Sequence, residues 1–119
     1  MKLKSALAGA LRALNLFGGG ISYATPQETH LDQALKEAES AASEGQNDNA
    51  TAAAEHARGA LTHAELAENV KSDPHIAEAK VHLKQAIEHG DMGQATVAGE
   101  HAQQAVEHLK MAYKEEKTQ

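Results

Sequence analysis

The sequence predicts an all-α protein, an antiparallel up-down-up-down four-helix bundle built from a duplicated helical hairpin. Three observations carry this. The chain has 119 residues with 25 alanines, no cysteine, no tryptophan and only three aromatics, Phe17, Tyr23 and Tyr113, a composition foreign to β-sandwiches and barrels. Residues 30–67 align without a gap on residues 75–112 after a shift of 45, so that His30 falls on His75, Gly45 on Gly90, Glu55-His56-Ala57 on Glu100-His101-Ala102, and His63 on His108. From Thr25 onward, apolar residues recur with helical period, interrupted by three short turns.

Residues 1–24 stand apart. Lys2, Lys4 and Arg12 are its only charges, small and apolar residues run from Ala6 to Ile21, and Ser22-Tyr23-Ala24 fits the small-x-small cleavage pattern of an exported protein. The expectation is a secretory signal, periplasmic location and a mature domain over 25–119. The rival reading is a basic amphipathic transit-type helix, because Leu3, Leu7, Leu11 and Leu14 share a face. Arg12 and Asn15 within the apolar run disfavour a membrane span, since arginine at mid-bilayer is costly. Removing the segment takes away three bases and no acid, moving the formal charge from −6 to −9. Such a domain makes a poor nucleic-acid partner and a good cation partner.

Each helix has a start signal. Thr25-Pro26-Gln27-Glu28 reads as a capping box with proline at the first helical position, opening a helix that ends near Gly45. Gln46-Asn47-Asp48-Asn49 is turn-rich, and a second helix follows over about 50–70. Asp73-Pro74 opens a third, ending near Gly90, and Asp91-Met92-Gly93 turns into a fourth over about 94–116. The repeat halves are then about 29–72 and 74–116. Short turns between long helices favour antiparallel neighbours.

Eight histidines in such a chain call for an explanation. His56 and His63, His75 and His82, His82 and His89, and His101 and His108 are each seven residues apart. Placing them at heptad position g puts almost every a, d and e position on an apolar residue: Leu31, Ala34, Leu35, Ala38, Ala41 and Ala42 in the first helix, and Ala53, Ala57, Ala60, Leu61 and Ala64 in the second. Ile76, Ala79, Leu83, Ala86 and Ile87 follow in the third, and Ala98, Ala102, Ala105, Val106, Leu109 and Tyr113 in the fourth. The histidines therefore border the core.

Seven residues rise about 10.5 Å, so two histidines of one helix cannot share an ion whose metal–nitrogen bonds are about 2 Å. Shared sites must form between helices. Meeting along g, antiparallel partners would pair His89 with His101 and His82 with His108, and in the first half Glu44 with His56 and Glu37 with His63. Glu78, three residues after His75 and four before His82, can add an oxygen. Imidazole with carboxylate suits Cu(II), Ni(II) and Zn(II), with Cu(II) bound tightest at equal sites. Met92 and Met111 follow His89 and His108 by three residues, but read as loop filler and helix flank. The glutamates preceding His56, His89, His101 and His108 fall at the outward f position and read as a solvated acidic face.

Competing functions have weaker support. A pH-responsive bundle is the main alternative, since clustered histidines gain charge near pH 6. Ferritin-like di-iron sites need inward Glu-x-x-His, and no histidine here has glutamate three residues before it. The hydrolytic H-E-x-x-H pattern is missing, and an alanine core does not suit haem.

The segments His75-Ile76-Ala77 through Lys84-Gln85-Ala86-Ile87-Glu88-His89-Gly90, Glu100-His101-Ala102 through Glu107-His108-Leu109, and Glu55-His56-Ala57-Arg58 through His63-Ala64 closely resemble the small metal-binding protein (SmbP) family. The resemblance spans nearly all of residues 29–112. It implies a four-helix, His-rich periplasmic protein that binds copper and other divalent metals without catalysis, for buffering, scavenging or tolerance. The expected ligands are His30, His56, His63, His75, His82, His89, His101, His108, Glu37, Glu44 and Glu78. The expected state is a monomer, with metal able to bridge copies. The first helix departs from the pattern: Glu37 and Glu44 occupy the heptad places where the second half has His82 and His89.

Overall fold

A computed structural model describes residues 23–118. Four helices follow in order, α1 (Pro26–Gln46), α2 (Ala50–Val70), α3 (Pro74–Asp91) and α4 (Ala95–Lys117), and no strand occurs among the described residues. The expected leader, apart from its last two residues, lies outside the described residues. Among the latter no helix is long and apolar enough to cross a membrane.

The helix starts follow from side-chain chemistry at the caps. Thr25 Oγ1 accepts from the Glu28 amide at 3.0 Å while Glu28 Oε1 accepts from the Thr25 amide at 3.4 Å, closing the capping box. Asn49 caps α2 through the Ala52 amide, and Asp73 caps α3 through the amides of His75 and Ile76. No side-chain cap bond forms at Gln94, before α4. Asp48 and Gly93, which match under the 45-residue shift, both turn the chain in the left-handed region, at φ 62° and 78°. Asparagine, aspartate and glycine are the residues that adopt it most readily.

The helices pack as a bundle: α1 lies against α2 and α4, α3 lies against the same two, and α2 touches α4 across the middle. The core is mostly alanine. Its largest fully buried side chains are Leu31, Ile76, Leu83, Val106 and Leu109. Leu35, Leu61, Ile87 and Tyr113 are partly buried at its margin. Nearly every residue assigned to a, d and e therefore lies in or beside the core.

Two features of the core come from elsewhere. Gln27, at a d position in the first turn of α1, is buried and donates through Nε2 to the carbonyls of Ala67 at 3.2 Å and Lys71 at 2.7 Å. It thereby ties the start of α1 to the end of α2, as a second donor to Ala67 O, which also accepts from the Lys71 amide at 3.1 Å. Gly45 and Gly99 bring α1 against α4: a Cβ at Gly45 would fall 2.5 Å from Gly99 Cα. At the same end of the bundle Gly90, near the end of α3, meets the start of α2, its hypothetical Cβ 2.8 Å from Ala54 Cβ.

Candidate metal centre

All eight histidines are half-buried, as expected for side chains bordering a core. They line two seams, one between α1 and α2 and one between α3 and α4.

In the α3–α4 seam the histidines interdigitate. Ring centroids are 5.4 Å apart for His89 and His101, 5.8 Å for His101 and His82, 5.7 Å for His82 and His108, and 5.6 Å for His108 and His75. The expected pairs His89–His101 and His82–His108 are both present, but each forms part of one five-membered zigzag. The reason is axial offset: g residues of one helix sit midway between those of the other, so an inner histidine has two partners. The ends of the ladder are polar. His89 Nδ1 is hydrogen bonded to Gln94 Oε1, and His75 Nε2 lies 3.5 Å from Glu115.

The α1–α2 seam repeats the arrangement with different chemistry. His30 Nδ1 faces His63 Nδ1 at 3.4 Å, and Glu37 Oε1 lies 2.8 Å from His56 Nδ1. Glu44 accepts from Asn49 Nδ2 at 3.1 Å. In place of the expected partners Glu37–His63 and Glu44–His56, Glu37 contacts His56, Glu44 contacts Asn49 and His63 contacts His30, by the same offset that makes the zigzag.

The stripes expected in α2 and α4 begin at His56 and His101, and that of α4 ends at His108, one heptad step short of three polar neighbours. Gln94 lies seven residues before His101, Glu115 seven after His108 and Asn49 seven before His56. Extending the heptad by one step in each direction would have found all three. Met92 and Met111 remain exposed, as their reading as filler and flank implies.

Three candidate ligands, two imidazoles and one carboxylate, converge at one place. Single ligand atoms of Glu78, His82 and His108 all lie within 4.8 Å of one another, the two imidazoles half-buried and the carboxylate exposed. Bonds of about 2.0–2.2 Å to a shared ion need the donors to close in somewhat further, which side-chain rotation supplies. Beside this triad, the Nδ1 atoms of His82 and His101 are buried without a hydrogen-bond partner among the described residues. Unsatisfied buried nitrogens carry a desolvation cost that a proton donor or cation relieves. His101 has its pKa lowered from 6.5, first by burial, then by the neighbouring positive charge on His89 and His82, with Glu100 opposing. A lowered pKa keeps this imidazole neutral, the form that binds metal.

Comparison with known proteins agrees with this chemistry. A model of the small metal-binding protein family matches residues 2–112. The chain belongs to the small metal-binding protein family. Membership implies metal ions as partners and is not membership of an enzyme family. No curated protein matches the chain. For a small metal-binding protein, the half-buried imidazole seams provide the donors that the family description requires.

Proposed function

We propose that the protein captures divalent transition metals reversibly, Cu(II) ahead of Ni(II) and Zn(II), and buffers or scavenges them in the periplasm without catalysis. The convergence of Glu78, His82 and His108 carries this reading. Two nitrogens and one oxygen on facing helices match the donors that Cu(II), Ni(II) and Zn(II) prefer, and at equal sites copper binds tightest. Three protein ligands leave room for water, so bound ions exchange readily, as a buffer requires. His75, His89 and His101 extend the same seam with further imidazoles. In the α1–α2 seam, His30, His56, His63, Glu37 and Glu44 offer a harder, more dispersed set.

The architecture behind this reading is a duplicated hairpin with antiparallel neighbours. The 45-residue internal alignment supports duplication, and the bonds from Gln27 at the start of α1 to Lys71 just past α2 support antiparallel pairing. Residues 1–24 are the proposed export signal. The acidic surface concentrates cations near the seams, and acidification releases them by protonating imidazole.

Calorimetric titration with Cu(II) near neutral pH tests the proposal. Replacing His82, His89, His101 and His108 by glutamine is expected to lower copper capacity more than replacing His30, His56 and His63. Equal losses would overturn the seam assignment. If the wild-type protein takes up no copper, nickel or zinc, the metal reading falls altogether.

A further inference from the structure

The two seams differ in the number of donors they bring together, and that difference sorts ions by charge and geometry. His30 and His63 form an isolated pair. Among the described residues no third histidine, aspartate or glutamate joins them within the spacing that unites Glu78, His82 and His108. Glu37, the nearest counterpart of His82 in the α1–α2 seam, is engaged with His56. A divalent ion that wants four or more donors finds only two here.

The orientation of the pair is specific. The ring centroids are 5.6 Å apart and the Nδ1 atoms 3.4 Å apart, a difference of 2.2 Å. That difference is one ring width, half from each imidazole, so both nitrogens lie close to the line joining the ring centres. The rings therefore meet nitrogen to nitrogen, tilted by 26°, and not face to face. Without an ion, an Nδ1–H on one ring and a lone pair on the other form a contact of 3.4 Å, longer than an ordinary hydrogen bond of about 2.7–3.2 Å. Two metal–nitrogen bonds of about 2 Å laid end to end span about 4 Å, so the 3.4 Å gap needs to open by only about 0.6 Å. Rotation of half-buried side chains provides that without moving either helix.

We infer that the His30–His63 pair is a linear two-coordinate site for a soft monovalent d10 cation, Cu(I) or Ag(I). Such ions accept two opposed nitrogen donors as a complete coordination sphere, which divalent ions do not. The inference rests on the reading of the seams as metal-binding and adds a second class of ion to it. His75 and His108 show the same head-on contact, with Nδ1 atoms 3.4 Å apart. There, however, His108 is also a member of the triad with Glu78 and His82, so a divalent ion competes for it. The α1–α2 pair has no such competitor.

Silver tests this without redox chemistry. Silver nitrate is titrated into the nitrogen-15-labelled full chain in chloride-free buffer, with Cu(II) titrated in parallel. The Nδ1 signals of His30 and His63 are expected to shift together on adding Ag(I) and to show scalar coupling to silver. The double variant His30→Gln, His63→Gln is expected to lose one equivalent of silver while keeping its helical circular dichroism and the Cu(II) taken up by the α3–α4 seam. Unshifted Nδ1 signals in the wild type, or undiminished silver uptake by the folded variant, with Cu(II) still bound, would overturn the inference and leave the divalent reading intact. If neither ion binds the wild-type chain, both readings fall.

Discussion

Replacing Gly45 by alanine should destabilise the apo-protein, although the same change in an exposed helix stabilises. A new Cβ at 45 would lie 2.5 Å from Gly99 Cα and 2.7 Å from both Ala95 O and Gly99 N. All three are backbone atoms of α4 and none can swing aside. Carbon atoms pack best at about 3.5–4.0 Å, so α4 must retreat by about 1 Å along this contact. Helix propensity favours alanine by about 0.8–1 kcal/mol. Overpacking costs about 1–3 kcal/mol, and a clash with rigid backbone belongs at the upper end of that range or beyond. The expected net loss is about 2 kcal/mol, or a fall in Tm of roughly 8–16 °C for a domain of this size. Gly59→Ala is the control. The three atoms nearest its Cβ all belong to the Glu37 side chain, Cδ at 3.2 Å, Oε1 at 3.3 Å and Cγ at 3.5 Å, and a side chain held by the one contact with His56 yields more easily than backbone. That variant should match or exceed the wild type. Thermal and urea unfolding after metal removal by chelator, followed by circular dichroism, measures both. A Gly45→Ala protein as stable as wild type would refute the close approach of α1 and α4, and a Gly59→Ala protein that falls as far would refute the distinction between rigid and movable neighbours.

Two further outcomes follow from buried polar groups. Gln27→Leu removes the amide that ties the start of α1 to Ala67 O and Lys71 O at the end of α2, so the urea midpoint should fall by the equivalent of about 0.5–1.5 kcal/mol with m unchanged; an unchanged midpoint would show that water replaces the amide at no cost. For His101 the folded-state pKa lies below the unfolded value of 6.5, so between those values the unfolded chain binds more protons and stability rises with pH. The apo-protein should therefore lose stability as pH falls through 6.5, His101→Gln should flatten that slope, and an NMR titration placing the midpoint of His101 at or above 6.5 would contradict the assignment.

The helices were legible because their signals are local. Thr25-Pro26 and Asp73-Pro74 start helices through their own side chains and rings, and the observed starts coincide with the expected ones. The heptad register was legible too, since one phase placed the apolar residues inside and the histidines at the border. What spacing along one chain could not supply was the axial offset between facing helices. That offset depends on turn geometry at Asp48 and Gly93 and on close helix contacts such as Gly45 against Gly99. It decides that Glu37 meets His56 and that five imidazoles form one continuous zigzag. Gln27 was not legible for another reason: the role of a lone polar residue at a core position depends on the carbonyls of α2 that it meets, which lie 40 and 44 residues away in the chain.

The composition and the site are two sides of one arrangement. Alanine at most a, d and e positions contributes little buried area per residue, at about 25 cal/mol per Å². It does, however, let helix axes come close, and that closeness brings imidazoles on facing helices to within 5.4–5.8 Å between ring centroids. Larger core residues would widen the seams and part the donors. Given equivalent backbones, the chemistry of each seam then depends on very few positions. Gln33 and Glu37 stand in α1 where Glu78 and His82 stand in α3. Those two differences separate a lone imidazole pair from a converging triad with a carboxylate, on the same helical frame.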